Sequence, residues 1–170
     1  QFHRCSSRGI HYASGGRCVH SSRTKHTASL KTLTGRLYLD TNIFIYALEG
    51  YPVFRPTITQ VFERIDHGAI QAVTSELTLA GVLVKPLLDG SREREAAYLQ
   101  AMRPSTSLHV EPVSREILIE ASHLRAEHGF KLPDAIHAAT AQLTHCERIL
   151  TNDARFKTLP GIEVLLLSEF

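Results

Sequence analysis

The chain has 170 residues, 43% of them hydrophobic and 21% charged, with 19 Lys and Arg against 17 Asp and Glu for a net charge of +2. That length suits one domain, and the ordinary composition excludes collagen-like, wholly disordered and disulfide-scaffold classes. No apolar run approaches the ~20 residues that a spanning helix needs, so no helical membrane anchor is expected.

The near-neutral total hides an asymmetry. Residues 1–36 hold seven basic groups and no acid, which leaves 12 basic and 17 acidic groups, net −5, for residues 37–170. The first segment is rich in Ser, Arg, His and Gly and shows neither a helical nor a strand period. Such a stretch buries too little to offset its ordering entropy, so residues 1–35 are expected to form a basic, disordered tail. It has no apolar core of a secretory signal, and its Arg- and Ser-rich composition lacks the amphipathic stripe of a transit peptide. A native RNA-contacting tail, a targeting segment and an over-extended start all remain open. Cys5 and Cys18 lack the paired spacing of a zinc site. Beyond them only Cys146 remains, which fits a reducing cytoplasm better than a disulfide framework.

From Leu37 the pattern changes. Residues 36–39 form a short apolar strand that ends in Asp40-Thr41-Asn42, and residues 43–48 read as a helix closed by Glu49-Gly50. Residues 57–66 are amphipathic, with Ile58, Val61, Phe62 and Ile65 on one face, and His67-Gly68 stops them. Residues 70–73 make a strand. Thr74-Ser75-Glu76 then opens a helix to about residue 84, ended by Pro86. Residues 91–102 form a charged helix with Ala96, Ala97 and Leu99 inward, and residues 108–110 a strand. Ser114 caps a long helix whose inner face carries Ile117, Ala121 and Leu124 and whose end is Gly129. Pro133 opens a helix to about residue 144, followed by strands at 148–150 and 162–166. Short strands alternating with helices predict an α/β fold: one parallel sheet covered by helices on both faces.

In such sheets ligands sit beyond the carboxyl ends of the strands. Asp40 and Asp153 directly follow strands, while Glu76 and Asp134 lie in first helical turns. Taken singly, each has an ordinary structural reason: a cap, a favourable helix dipole or a turn. Together, three or four carboxylates at one sheet edge cannot all stay ionised without cations. Mg²⁺ or Mn²⁺ suits oxygen ligands of this kind, and such ions can activate water against a phosphodiester.

Four segments carry a resemblance. Leu39-Asp40-Thr41-Asn42, Thr74-Ser75-Glu76, Lys131-Leu132-Pro133-Asp134-Ala135-Ile136-His137-Ala138-Ala139-Thr140-Ala141 and Thr151-Asn152-Asp153-Ala154-Arg155-Phe156 resemble, in order, the motifs of a PIN domain. The similarity covers residues 36–170 and is nearest to the VapC-type toxin ribonucleases. It implies a single three-layer PIN-like domain with a five-stranded parallel sheet and Mg²⁺- or Mn²⁺-dependent cleavage of RNA. It further implies a homodimer and inhibition by a VapB-like antitoxin. The family's metal-binding, catalytic acids map onto Asp40, Glu76, Asp134 and Asp153, with Asn42 and Thr151 as accompanying polar groups. The alternatives are a catalytically silent PIN-like module that binds RNA or protein, and a solitary RNA-processing nuclease.

Other residues have weaker claims. His137, one turn after Asp134, faces the site or packs in the core. Arg155 is placed to meet phosphate, whereas Arg92 and Arg94 alternate with Glu93 and Glu95 on what reads as a solvated face. Tyr38, Phe44, Tyr46, Tyr51 and Phe54 read as core or dimer contacts rather than base-stacking platforms.

Overall fold

In the first strand, β1 (Gly35–Leu39), Leu37 and Leu39 alternate with Tyr38, and all three are buried. Side chains on a strand alternate between faces, so β1 needs cover on both sides. The computed structural model describes residues 30–170, and over them that cover is supplied by helices. The reading of residues 1–29, including Cys5 and Cys18, lies outside the described residues.

The remaining elements are α1 (Thr41–Glu49), α2 (Arg55–Asp66), β2 (Ile70–Ser75), α3 (Leu77–Leu88), α4 (Arg92–Ala101) and β3 (Leu108–Glu111). They continue with α5 (Arg115–His128), α6 (Leu132–Leu143), β4 (Arg148–Thr151) and β5 (Glu163–Leu166). The strands form one parallel sheet in the order β3-β2-β1-β4-β5. Three layers result. Leu37, Leu39, Ala72 and Leu150 pack against Ile43, Phe44, Ile58 and Val61 on one face. Tyr38, Val73 and Ile149 pack against Ile117, Ala121, Leu124 and the alanines of α6 on the other.

The chain turns outward from β1 in both directions, so strand order reverses between β1 and β4. Pairing of Leu39 with Leu150 brings the carboxyl ends of these two strands level. That is the crevice where open α/β sheets bind ligands.

Several expectations need correction. The fold begins before Leu37: a short 3-10 turn, Leu30–Thr32, precedes β1, and Leu30 and Leu33 are buried in the core. Pro86 does not end α3, which runs through it to Leu88. A proline in the last turn removes only one backbone hydrogen bond, and its ring is buried here. In α4 the inward residue is Tyr98, 1% exposed, whereas Ala96, Ala97 and Leu99 face outward. The Tyr98 hydroxyl donates to Glu49 Oε1 at 3.3 Å, which ties α4 to the end of α1.

Leu39 is fully buried and precedes Asp40, whereas Val53 is 81% exposed. Leu39→Ala is expected to cost about 2–5 kcal/mol in urea unfolding. Val53→Ala should stay within about 0.5 kcal/mol of wild type.

Candidate active site

Asp40 ends β1 and caps α1, with Thr41 N donating to its Oδ1 at 2.7 Å. Its other oxygen, Oδ2, accepts from Thr151 Oγ1 and from Asn42 Nδ2, each at 2.6 Å. Asn42 Nδ2 also reaches Thr151 Oγ1 at 3.2 Å, and Asn42 Oδ1 accepts from Asn152 N at 3.2 Å. Thr151 Oγ1 in turn accepts from Asp153 N at 3.0 Å. Asn42 and Thr151 therefore strap the end of β1 to the turn after β4. Asp40 is only 6% exposed, so these donors replace the water that it gives up.

The other face of the crevice is the first two turns of α6. Ala135, Ala138, Ala139 and Ala141 are fully buried, and their small side chains let the helix lie close to its neighbours. Asp134 stands in the first turn and His137 one turn later. His137 is 5% exposed and makes two contacts. Nδ1 lies 2.7 Å from the Tyr38 hydroxyl and Nε2 lies 3.1 Å from Thr41 Oγ1. Burial pushes the Tyr38 phenol well above its ordinary value, so it keeps its proton and needs an acceptor. Nδ1 is that acceptor, which leaves the imidazole proton on Nε2, directed at Thr41. Burial also lowers the His137 pKa against the pull of Asp40 and Asp134, and favours the neutral ring. Sequence reasoning left His137 between site and core; it is a buried buttress behind Asp40, with Nε2 4.0 Å from Oδ1. The role of Tyr38 was missed, although strand alternation already placed it opposite Leu37 and Leu39.

Asp153 caps the 3-10 turn Ala154–Thr158, accepting from Arg155 N at 2.9 Å. The Arg155 guanidinium grips Asp153 through Nε and Nη2, and its Nη1 lies 3.0 Å from Asp134 Oδ2. One arginine thus bridges two of the acids. Asp134 nevertheless has a raised pKa: burial dominates, Arg155 opposes it, and Asp153 and Asp40 add to it. Asp153 is lowered, chiefly by its hydrogen bonds from Arg155.

Asp40, Asp134 and Asp153 therefore share one electrostatic neighbourhood. Glu76 is exposed just before α3, and its carboxylate takes no part in the hydrogen bonds that hold Asp40 or in the Arg155 bridge. The part of α3 that touches the site is Gly81, where an added Cβ would meet Thr41 Cγ2 at 2.8 Å.

The donor set is carboxylate and hydroxyl oxygen, the chemistry that hard divalent cations prefer. Asp134 Oδ2 is buried without a hydrogen bond, since the approach of Arg155 is a charge contact only. As the side chains lie, no three His, Cys, Asp or Glu groups among the described residues close around an ion. Arg155 now supplies the positive charge at Asp134 and Asp153. By chemistry and charge the three aspartates suit a divalent cation.

An acid cluster at the switch point of a parallel sheet defines a class of α/β protein, and the sequence belongs within it. The PIN domain family matches residues 37–162, and the chain is a member of that family. Comparison with curated proteins found no match. Among solved structures, VapBC2 from Rickettsia felis bound to a promoter DNA fragment is similar with a TM-score of 0.62 and 18% identity. That match covers 77% of this chain and 98% of that one. A toxin–antitoxin complex from Klebsiella pneumoniae gives 0.58 and 26% identity over 77% of this chain and 97% of that one. The Mycobacterium tuberculosis toxin VapC20, described as cleaving the sarcin–ricin loop, gives 0.60 and 18% identity over 75% and 98%.

The opposite shifts of Asp134 and Asp153 predict opposite effects on stability. A raised carboxyl pKa means that ionisation opposes folding once the pH exceeds the ordinary value of 3.8. A lowered one adds stability over that range and loses it only as pH falls through the depressed folded value. In chelated buffer at neutral pH, Asp134→Asn should raise the thermal midpoint and Asp153→Asn should lower it. The Asp134 difference should close below pH 3.8, and the Asp153 difference only at lower pH still.

Proposed function

We propose that this protein is a metal-dependent endoribonuclease that hydrolyses RNA phosphodiester bonds, the toxin of a VapBC-type toxin–antitoxin pair. The observation that carries the reading is the convergence of Asp40, Asp134 and Asp153 at the switch point, with a buried Asp134 oxygen that lacks a hydrogen bond. Membership of the PIN domain family supports nuclease chemistry. The sarcin–ricin loop-cleaving toxin among the similar structures supports RNA as substrate. The toxin–antitoxin complexes among them support a VapB-like protein partner. Val84, Leu87 and Leu88, exposed on α3, support a homodimer.

In this reading the three aspartates hold Mg²⁺ or Mn²⁺, and Glu76 is an outer acid of the same site. The bound ion would supply a lowered water pKa and stabilisation of charge on the phosphoryl oxygens. The chain's own residues prepare the place. Thr151, Asn42 and the Thr41 amide hold the Asp40 carboxylate in one orientation. His137, neutral and fixed by Tyr38, fills the space behind it without bringing a competing positive charge. Groups that orient metal ligands in this way matter almost as much as the ligands.

Purified protein should cleave a mixed RNA pool with Mg²⁺ or Mn²⁺ and stop when the ion is chelated. Asp40→Asn should reduce cleavage by about a hundredfold or more, and Glu76→Gln or His137→Gln by about tenfold, with far-UV circular dichroism unchanged. Full metal-dependent cleavage by Asp40→Asn would overturn the assignment.

A further inference from the structure

Next to Asp134 and Arg155 lies a cavity of about 170 Å³, lined by these two residues with His128, Gly129, Phe130, Lys131 and Thr158. Among the described residues its lining holds two permanent cations, an imidazole and one acid, Asp134, which is shared with the aspartate cluster. Lys131 is exposed, its backbone caps α6, and its side chain takes no part in that cap. Its charge nevertheless reaches Asp153 and helps to lower that carboxyl. Phe130 is 7% exposed and packs on Phe156 with ring centroids 5.8 Å apart, so this part of the lining is apolar and packed on the core.

We infer that this cavity is a subsite for a backbone phosphate of the RNA strand next to the bond being cut, held by Lys131 and Arg155. The inference rests on the ribonuclease reading above and adds where the strand runs. The domain from residue 37 onward carries a net charge of −5, so it needs local cations to hold a polyanion beside its acids. Arg155 contacts both Asp134 and Asp153, and Lys131 lines the same cavity as Asp134 and acts on Asp153 through its charge. A planar guanidinium serves carboxylate and phosphate equally well, and Arg155 sits on the wall between the acids and the cavity. With Asp134 and Asp153 neutralised by a divalent cation, its charge becomes available to phosphate. His128 and Thr158 complete the rim with groups able to hydrogen-bond phosphoryl oxygen.

The probe is a single-stranded RNA with a non-hydrolysable backbone, bound to the full chain in Ca²⁺ at several salt concentrations. Lys131→Gln removes no hydrogen bond or ion pair of the three aspartates. It should weaken RNA binding by about fivefold and make the slope of log K against log salt shallower by about 0.7. Mn²⁺ affinity, read by calorimetry without RNA, should not fall in this variant, because the charge removed repels the ion. A Lys131→Gln/Arg155→Gln double variant should flatten the slope further, by about 0.7 more. Lys131→Arg should bind like wild type, which separates charge from any effect on the α6 cap. Unchanged affinity and slope in Lys131→Gln and the double variant would overturn the subsite while leaving the nuclease reading intact. Failure of the wild-type chain itself to bind RNA would overturn the reading on which the subsite rests.

Discussion

The hydrogen bond from Thr151 Oγ1 to Asp40 Oδ2 joins the two strand ends between which the sheet reverses. Asp40 follows β1 and Thr151 ends β4, strands brought side by side by parallel pairing and not by nearness in sequence. Around that bond the turn after β4 takes its shape: the same hydroxyl accepts from Asp153 N, and Asn42 closes the loop through Asn152. Asp153 follows in that turn, and Arg155 bridges it to Asp134.

Meeting has a physical consequence. Like charges in a partly buried crevice oppose one another, and the protein answers each carboxylate differently. Asp40 is answered by three hydrogen-bond donors, Asp153 by Arg155, and Asp134 incompletely by a charge contact. That unequal treatment leaves one oxygen buried without a hydrogen bond and one carboxyl with a raised pKa, a pattern common at sites of chemistry rather than of stability. Behind the acids, Tyr38, His137 and Thr41 are linked in a largely buried chain of polar contacts.

Local signals served well where one physical rule dominated. Ser114 and Gly129 bracket α5 as cap chemistry requires, and Ile117, Ala121 and Leu124 lie inward at the spacing of a helix. They served poorly where rules competed. Pro86 reads as a stop, yet burial of its ring within a packed helix outweighs one missing hydrogen bond. In α4 the charge run obscures the period, and the inward residue is set by the reach of Tyr98 to Glu49. Leu30 and Leu33 sit at the edge of a basic segment whose composition gave no hint that they enter the core.

What the sequence determined alone was the class of fold and the placing of acids at its strand ends and first helical turns. Strand and helix periods are local, and acids at strand ends and first turns are visible by position. Asp40, Asp134 and Asp153 are accordingly found together, as the parallel α/β order requires. The tertiary structure decided which groups answer those acids. That Arg155 bridges Asp134 and Asp153, that His137 is held by Tyr38, and that Glu76 stays exposed depend on side-chain directions and burial. Contacts such as that between Asp40 and Thr151, 111 positions apart, have no local signature, because they exist only once the sheet has set its register.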